Sequence, residues 1–279
     1  MEAYRFLLVG GDARQARLAE LLARDGHAVS LYALSDRYDP APEGADCAIL
    51  PLPMCARDGA FFAPLCPAAP SVDEALERCA GARFVCGGRV TEKPRQIAER
   101  HGIVLHDYFA REELTIRNAV PTAEGALALA MDALPVTVLG LRVLILGFGR
   151  VGQACALRFG ALGAHVCVAA RREDALALAR SLGFDAQSFA ALSPALADCD
   201  LVVNTVPAPV LGEAELALLP ADAPVIELAS APGGVDVEAA GRLGVRLIPA
   251  PALPGKVAPV SAAVYLRDTI YALLREAGI

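Results

Sequence analysis

Six residues, Gly147-Phe148-Gly149-Arg150-Val151-Gly152, follow directly on the apolar run Leu141–Leu146 and open a segment of helical periodicity from about Arg150 to Leu162. A strand, a G-x-G-x-x-G turn and a helix in that order admit very few folds. The first glycine permits the tight turn, the second lets a ligand's pyrophosphate approach the backbone, and the third lets helix and strand pack closely. The N-terminus of the helix then offers N–H groups and the positive end of its dipole to the phosphates. Residues 147–152 are therefore read as a dinucleotide-binding turn. The plainer alternative is a glycine-rich turn without ligand, against which the flanking strand and helix weigh.

The next strand, His165–Ala170, selects the nucleotide. An NAD enzyme usually carries Asp or Glu about twenty residues after the glycines, bonded to the ribose 2′-hydroxyl. Here the strand runs into Arg171 and Arg172. Two guanidinium groups can pair with a 2′-phosphate, and cations at a helix start oppose its dipole unless an anion compensates them. NADP is the expected cofactor. The plainer alternative is a pair of solvated arginines, with Glu173 and Asp174 answering the dipole.

On both sides of this unit, strand-like and helix-like segments alternate. Arg5–Val9, a helical Ala13–Arg24, Ala28–Ala33, Asp46–Leu50, Arg83–Cys86 and Ile103–His106 make a first set. Asp200–Asn204, Val225–Leu228 and Val245–Ile248 continue the second. The pattern predicts an α/β fold of two Rossmann-like, doubly wound parallel sheets. Residues 1–115 are expected to form an N-terminal domain for substrate or partner, 116–136 a connecting helix interrupted near Pro121, 137–257 the NADP-binding domain, and 258–279 a helix returning to the first domain. The earlier Gly10-Gly11-Asp12 also follows a strand but lacks the third glycine and puts a carboxylate where phosphate would go; it reads as a turn and helix cap.

Composition excludes several classes. A net charge of −7 with no Lys/Arg-rich run argues against nucleic-acid binding. The longest uncharged stretch, Gly59–Val72, contains three prolines and is too short to span a bilayer. The first residues do not resemble a signal peptide, so a cytoplasmic chain is expected. Eight cysteines occur singly, with no C-x-x-C pair, and His27, His101, His106 and His165 show no metal spacing. No metal site is inferred, and the cysteines read as small buried hydrophobes.

Other candidate residues lie where α/β folds bind ligands, at carboxyl ends of strands. Asn204-Thr205-Val206-Pro207 would line the nicotinamide ribose, or form a polar turn before the prolines. Glu227-Leu228-Ala229-Ser230 with Gly233-Gly234 places Glu227 as a site residue or an exposed strand end. Asn118 to Gly125 gathers Asn118, Thr122 and Glu124 at what reads as a helix start, where Thr122 could equally be a cap. Pro254 to Pro259 presents Lys256 in a loop between prolines, or simply in solvent.

Taken together, Arg111-Glu112-Glu113-Leu114, Asn118 to Gly125, Gly147 to Gly152, Asn204 to Pro207, Glu227 to Ser230 with Pro232-Gly233-Gly234, and Leu253 to Pro259 resemble the A-subunit family of dipicolinate synthases over nearly the whole chain. Glu227 departs from the aspartate expected there. The resemblance implies a mother-cell enzyme of a spore-forming bacterium on a branch of the lysine pathway. With a flavoprotein-like B subunit, it would oxidise a dihydrodipicolinate-type intermediate to dipicolinate. NADP would lie over Gly147–Gly152 with its 2′-phosphate on Arg171 and Arg172. The dicarboxylate would bind between the domains, held by Lys256, Asn118, Thr122 and Ser230, with Lys256 and Glu124 as catalytic candidates and Glu124 as the base.

Two rival readings stand beside this one. Shikimate and methylene-tetrahydrofolate dehydrogenases also pair a catalytic with an NADP domain, but Lys93, the lone lysine before the glycine turn, lacks their flanking Asn/Thr pattern. A non-catalytic NADP-binding scaffold or sensor is compatible with every motif above. A homodimer is left open by the sequence.

Overall fold

The runs Arg5–Val9 and Arg142–Leu146 are apolar on both faces, which suits strands covered on both sides by helices. That is where they sit in the computed structural model, which describes residues 3–40 and 42–279. The chain forms two units, one of residues up to Asn118 together with Ala258–Ile279, the other Ala119–Val257.

In the first unit, β1 (Arg5–Val9), β2 (Ala28–Leu34), β3 (Arg37–Tyr38), β4 (Cys47–Ile49), β5 (Phe84–Gly87) and β6 (Leu105–Asp107) pair in the order β3-β2-β1-β4-β5-β6. All pairs are parallel except that of β2 with the short edge strand β3, which the sequence pattern does not announce. Leu7 and Val9 of β1 point into a cluster with α2 (Val72–Glu77) and α3 (Glu92–Arg100). Phe6 and Leu8 point the other way, against Leu18 and Leu22 of α1 (Ala13–Arg24) and Leu266 and Ile270 of the C-terminal helix Pro259–Glu276. Asp12 caps α1 by accepting from the Arg14 N–H, and its carboxylate pairs with the buried Arg14 guanidinium. A Cβ on Gly10 would stand 2.4 Å from the Phe61 ring. This first glycine turn is filled by the protein's own side chains.

The C-terminal helix is fastened by polar contacts as well as apolar ones. The His27 ring is 7% exposed; its Nδ1 accepts the Tyr4 N–H, and its Nε2 lies 2.9 Å from the Tyr271 hydroxyl. That hydroxyl donates to Asp25, which also pairs with Arg267. Burial outweighs the attraction of Asp25 and lowers the His27 pKa from its ordinary 6.5. The unfolded chain therefore takes up a proton below about pH 6.5 that the folded chain refuses. Stability from this group is complete above that pH and declines as pH falls towards the folded-state value. Urea melts at pH 7.5 and 5.5 should show that decline in the wild type and a smaller one in His27→Gln; equal slopes would dissociate His27 from it.

In the second unit, β7 (Arg142–Leu146), β8 (His165–Ala170), β9 (Asp185–Ser188), β10 (Leu201–Asn204), β11 (Val225–Glu227) and β12 (Leu247–Pro249) are all parallel, in the order β12-β11-β10-β7-β8-β9. This is the doubly wound arrangement, with the order reversing between β7 and β10. Val143 and Ile145 face α5 (Arg150–Ala161), α6 (Glu173–Ser181) and the second half of α4 (Glu112–Ala133). Leu144 and Leu146 face α7 (Ser193–Ala197), α8 (Glu213–Leu216) and α9 (Val237–Leu243).

The structure corrects the reading of α4. It is one continuous helix with Pro121 inside it, not a helix interrupted there. A proline removes one backbone donor and typically costs about 3 kcal/mol in a helix interior. Here the alanine stripe Ala119, Ala123, Ala126 and Ala130 is buried in the core, and that packing carries the helix through. Thr122 consequently lies in mid-helix and not at a helix start.

Among the described residues no helix is long and apolar enough to cross a membrane, and no His, Cys, Asp and Glu side chains gather as a metal-binding group. The cysteines are free; six are buried and Cys55 and Cys167 are half-buried. Burial pushes the Cys79, Cys155 and Cys199 thiols up to about 12 and Cys167 up to about 11, so these thiols stay protonated near neutral pH.

Candidate nucleotide site

At the carboxyl edge of the second sheet, β7 runs into Gly147, whose φ of +92° favours a residue without Cβ. A Cβ there would also stand 2.5 Å from Thr205 Oγ1. The turn is clasped from both sides, since the Gly147 N–H donates to the Ala169 carbonyl of β8 and Thr205 donates twice to the Leu146 carbonyl. Gly152 lies so close beneath it that a Cβ would be 2.1 Å from the Gly147 carbonyl oxygen. Gly149 is different. It is the N-cap of α5, it is exposed, and a Cβ built on it meets nothing within 4 Å. With no side chain at the cap, no capping side chain bonds the first-turn N–H groups of α5, which lie at the positive end of the helix dipole beside the open Gly149 position. These features fit a dinucleotide pyrophosphate: donors, partial positive charge and room for close approach coincide.

The other members of the fingerprint divide by role. Arg150 opens α5 and is exposed, and Val151 packs part-buried against the core. The Phe148 side chain is not available to a ligand, because it is buried and packs edge-on to Phe184 at 6.5 Å. Its carbonyl accepts from Gln153 Nε2.

The two arginines after β8 are also unequal. Arg172 is the N-cap of α6 and is held by a bidentate pair with Asp174, which raises its pKa and lowers that of Asp174. Asp174 already answers the charge of Arg172. Arg171 is exposed, and among the described residues its side chain makes no ion pair or hydrogen bond.

Across the switch point, Asn204 ends β10 fully buried. Its Oδ1 accepts the Val206 N–H at 3.0 Å, and its Nδ2 lies 2.9 and 3.0 Å from the two Glu227 carboxylate oxygens. Glu227 also accepts the N–H groups of Ala229 and Gly234. It is thus neither an exposed strand end nor a free carboxylate. The sequence shows each of these residues singly, whereas the network is made across 23 residues and becomes visible only when β10 and β11 pair. Thr205 and Val206 are half-buried against the Gly147 turn, Pro207 is exposed, and Ser230 is half-buried in the loop after β11.

The remaining candidates are scattered along α4 and α10 (Leu253–Val257). Lys256 is not in a loop but on the last turn of this short helix, exposed. Leu253 of α10 packs against Gly125 of α4, where a Cβ would come within 3.0 Å of its side chain. Asn118 and Thr122 are half-buried on α4. Glu124 is exposed and pairs with Arg158 at 3.5 Å. Arg158 lies two turns along α5 from Arg150, roughly 12 Å at the helical rise per residue, so Glu124 is engaged far from the glycine turn. Lys93 is exposed in the first turn of α3, and His106 stacks on Phe84 at 4.3 Å, where burial lowers its pKa.

Comparison with known proteins places this geometry. The crystal structure of the dipicolinate synthase A subunit from Bacillus halodurans superposes with a TM-score of 0.85 at 30% identity, covering 97% of each chain. The chain belongs to the A-subunit family of dipicolinate synthases. Another member, the dipicolinate synthase A subunit of Bacillus subtilis strain 168, is 29% identical over 286 residues, covering 98% of this chain and 96% of its own. The crystal structure of the dipicolinate synthase A chain from Bacillus subtilis gives a TM-score of 0.85, covering 99% of this chain and 97% of that one. Residues 5–109 match the N-terminal domain of the dipicolinate synthase A subunit. Residues 118–239 match the NAD binding domain of D-isomer specific 2-hydroxyacid dehydrogenases. This member of the dipicolinate synthase A-subunit family is therefore a dehydrogenase-like oxidoreductase with a Rossmann domain for a nicotinamide dinucleotide.

Proposed function

We propose that the chain is the NADP-dependent component that oxidises a dihydrodipicolinate-type intermediate to dipicolinate, acting with a flavoprotein-like B subunit. The observation that carries this reading is the open Gly149 position at the N-terminus of α5, which no side chain caps, with an exposed Arg171, unpaired among the described residues, just after the neighbouring strand. The backbone of α5's first turn would hold the pyrophosphate and Arg171 the 2′-phosphate, while Thr205, Val206 and Pro207 line the nicotinamide ribose. Arg172, committed to Asp174, contributes secondary charge.

In the reaction the dihydropyridine ring loses a hydride, and a proton that passes to solvent water, and becomes an aromatic pyridine. A bound nicotinamide supplies the hydride acceptor. Aromatisation is itself favourable, so the chain's task is chiefly to align a planar dicarboxylate and exclude competing orientations. Lys256, with Thr122 and Ser230 of the same unit, supplies the polar groups for its carboxylates. Glu124, held by Arg158 along α5, is given no share in proton removal in this reading.

The test is direct. Purified chain with NADP+ and freshly generated dihydrodipicolinate is expected to produce NADPH absorbance together with the pyridine product. Nucleotide binding without turnover, unless the B subunit is added, would instead support the scaffold reading. Lys256→Ala should raise the substrate KM roughly 10-fold, as expected for one lost hydrogen bond to a charged group, with nucleotide affinity unchanged. An unaltered KM removes Lys256 from the carboxylate clamp.

A further inference from the structure

We infer that Asn204 and Glu227 form a positioning pair that shapes the nicotinamide half of the nucleotide site and leaves the adenosine half untouched. The inference rests on the dinucleotide reading of the Gly147 turn given above. In a doubly wound sheet the first mononucleotide half, here β7 to β9, receives the adenosine side, and the second, here β10 to β12, receives the nicotinamide side. The pair lies wholly in the second half.

Its hydrogen bonds leave no freedom. The Asn204 amide has one workable orientation: Oδ1 faces a donor, the Val206 N–H, while Nδ2 faces three acceptors, the two Glu227 oxygens and the Val206 carbonyl at 3.2 Å. An ionised carboxylate only accepts, and Glu227 uses this capacity on Asn204 and on the N–H groups of Ala229 at 2.9 Å and Gly234 at 3.0 Å. One side chain thus ties the segment after β10 to the loop after β11. There is no slack between them: a Cβ on Gly234 would stand 2.4 Å from Asn204 Nδ2 and 2.6 Å from the Val206 carbonyl oxygen.

The same segment is pressed on the glycine turn. A Cβ on Gly147 would be 2.5 Å from Thr205 Oγ1 and 2.9 Å from Val206 Cγ2. Displacing Asn204 therefore moves the residues proposed to line the nicotinamide ribose. By contrast, among the described residues neither side chain of the pair bonds to β8, Arg171 or α5. Glu227→Gln replaces one acceptor oxygen by a donor that faces the Asn204 amide nitrogen and one backbone N–H, and the loop has to shift.

Two probes separate the halves: NADPH, which occupies both, and adenosine 2′,5′-bisphosphate, which occupies only the first. Titration calorimetry on the full chain should show the NADPH Kd of Glu227→Gln rising roughly 10-fold, the effect of one lost charge-assisted bond. The bisphosphate Kd should stay within about 2-fold, because among the described residues neither side chain of the pair bonds to β8, Arg171 or α5, where that probe is held. Gly234→Ala, which crowds the same pair, should give the same split and serves if Glu227→Gln does not fold. Equal loss for both probes, or unchanged NADPH binding in a folded variant, overturns the positioning role. Failure of the wild type to bind either probe would defeat the dinucleotide reading itself, a result distinguishable from the others because it appears before any substitution is made.

Discussion

Arg171→Ala is expected to lower NADP(H) affinity roughly 10- to 100-fold while leaving NAD(H) affinity unchanged, since it removes a charge-assisted pairing with the 2′-phosphate and nothing else. The structure ranks the two arginines in a way their adjacency hides. Arg172 is already neutralised by Asp174, two residues on, so Arg172→Ala should cost less than Arg171→Ala. Competitive titration of both nucleotides against wild type and both variants decides this. Equal affinity of the wild type for the two nucleotides, or an equal loss from the two substitutions, would refute the assignment of the 2′-phosphate to Arg171.

The glycines of the turn provide the second large effect, and they should fail in different ways. Gly152→Ala drives a Cβ to 2.1 Å from a backbone oxygen that cannot step aside. The helix must move away from the strand, with an expected loss of about 1–3 kcal/mol in stability and roughly 100-fold or more in nucleotide affinity. Gly149→Ala meets nothing within 4 Å, so the protein should melt within a few degrees of the wild type. Yet the added methyl occupies the approach to the α5 N-terminus, and nucleotide binding should fall all the same. Melting curves paired with NADPH titration separate the two. Normal binding in a folded Gly149→Ala protein would mean that the pyrophosphate lies elsewhere.

Much of this was legible in the residues. Continuous apolar runs such as Val143–Leu146 marked buried parallel strands, and the glycine spacing marked the turn, because both signals are local. What escaped was of two kinds. The edge strand β9, Asp-Ala-Gln-Ser, has no apolar run because one of its sides has no neighbour in the sheet and its side chains are only part-buried. Pro121 argued for a break that the alanine stripe of α4 overrides by tertiary packing. Within the site, Gly149 and Arg171 could be named from sequence, but the inequality of Arg171 and Arg172, the burial of Phe148 and the engagement of Glu124 by Arg158 depend on side-chain partners. Glu227 is the clearest case: its role is set by Asn204 and Gly234, which chain distance conceals.

The two wound sheets also differ in how they can be completed as the polypeptide leaves the ribosome. The second is one unbroken stretch and can close as soon as it has emerged. The first waits, because the apolar side of α1, with Leu18 and Leu22, is covered by Leu266 and Ile270 from beyond Val257. The half made first is thus the half finished last, carrying a bare hydrophobic stripe through most of synthesis, and the His27–Tyr271–Asp25 chain is the latch that fastens when the missing helix arrives.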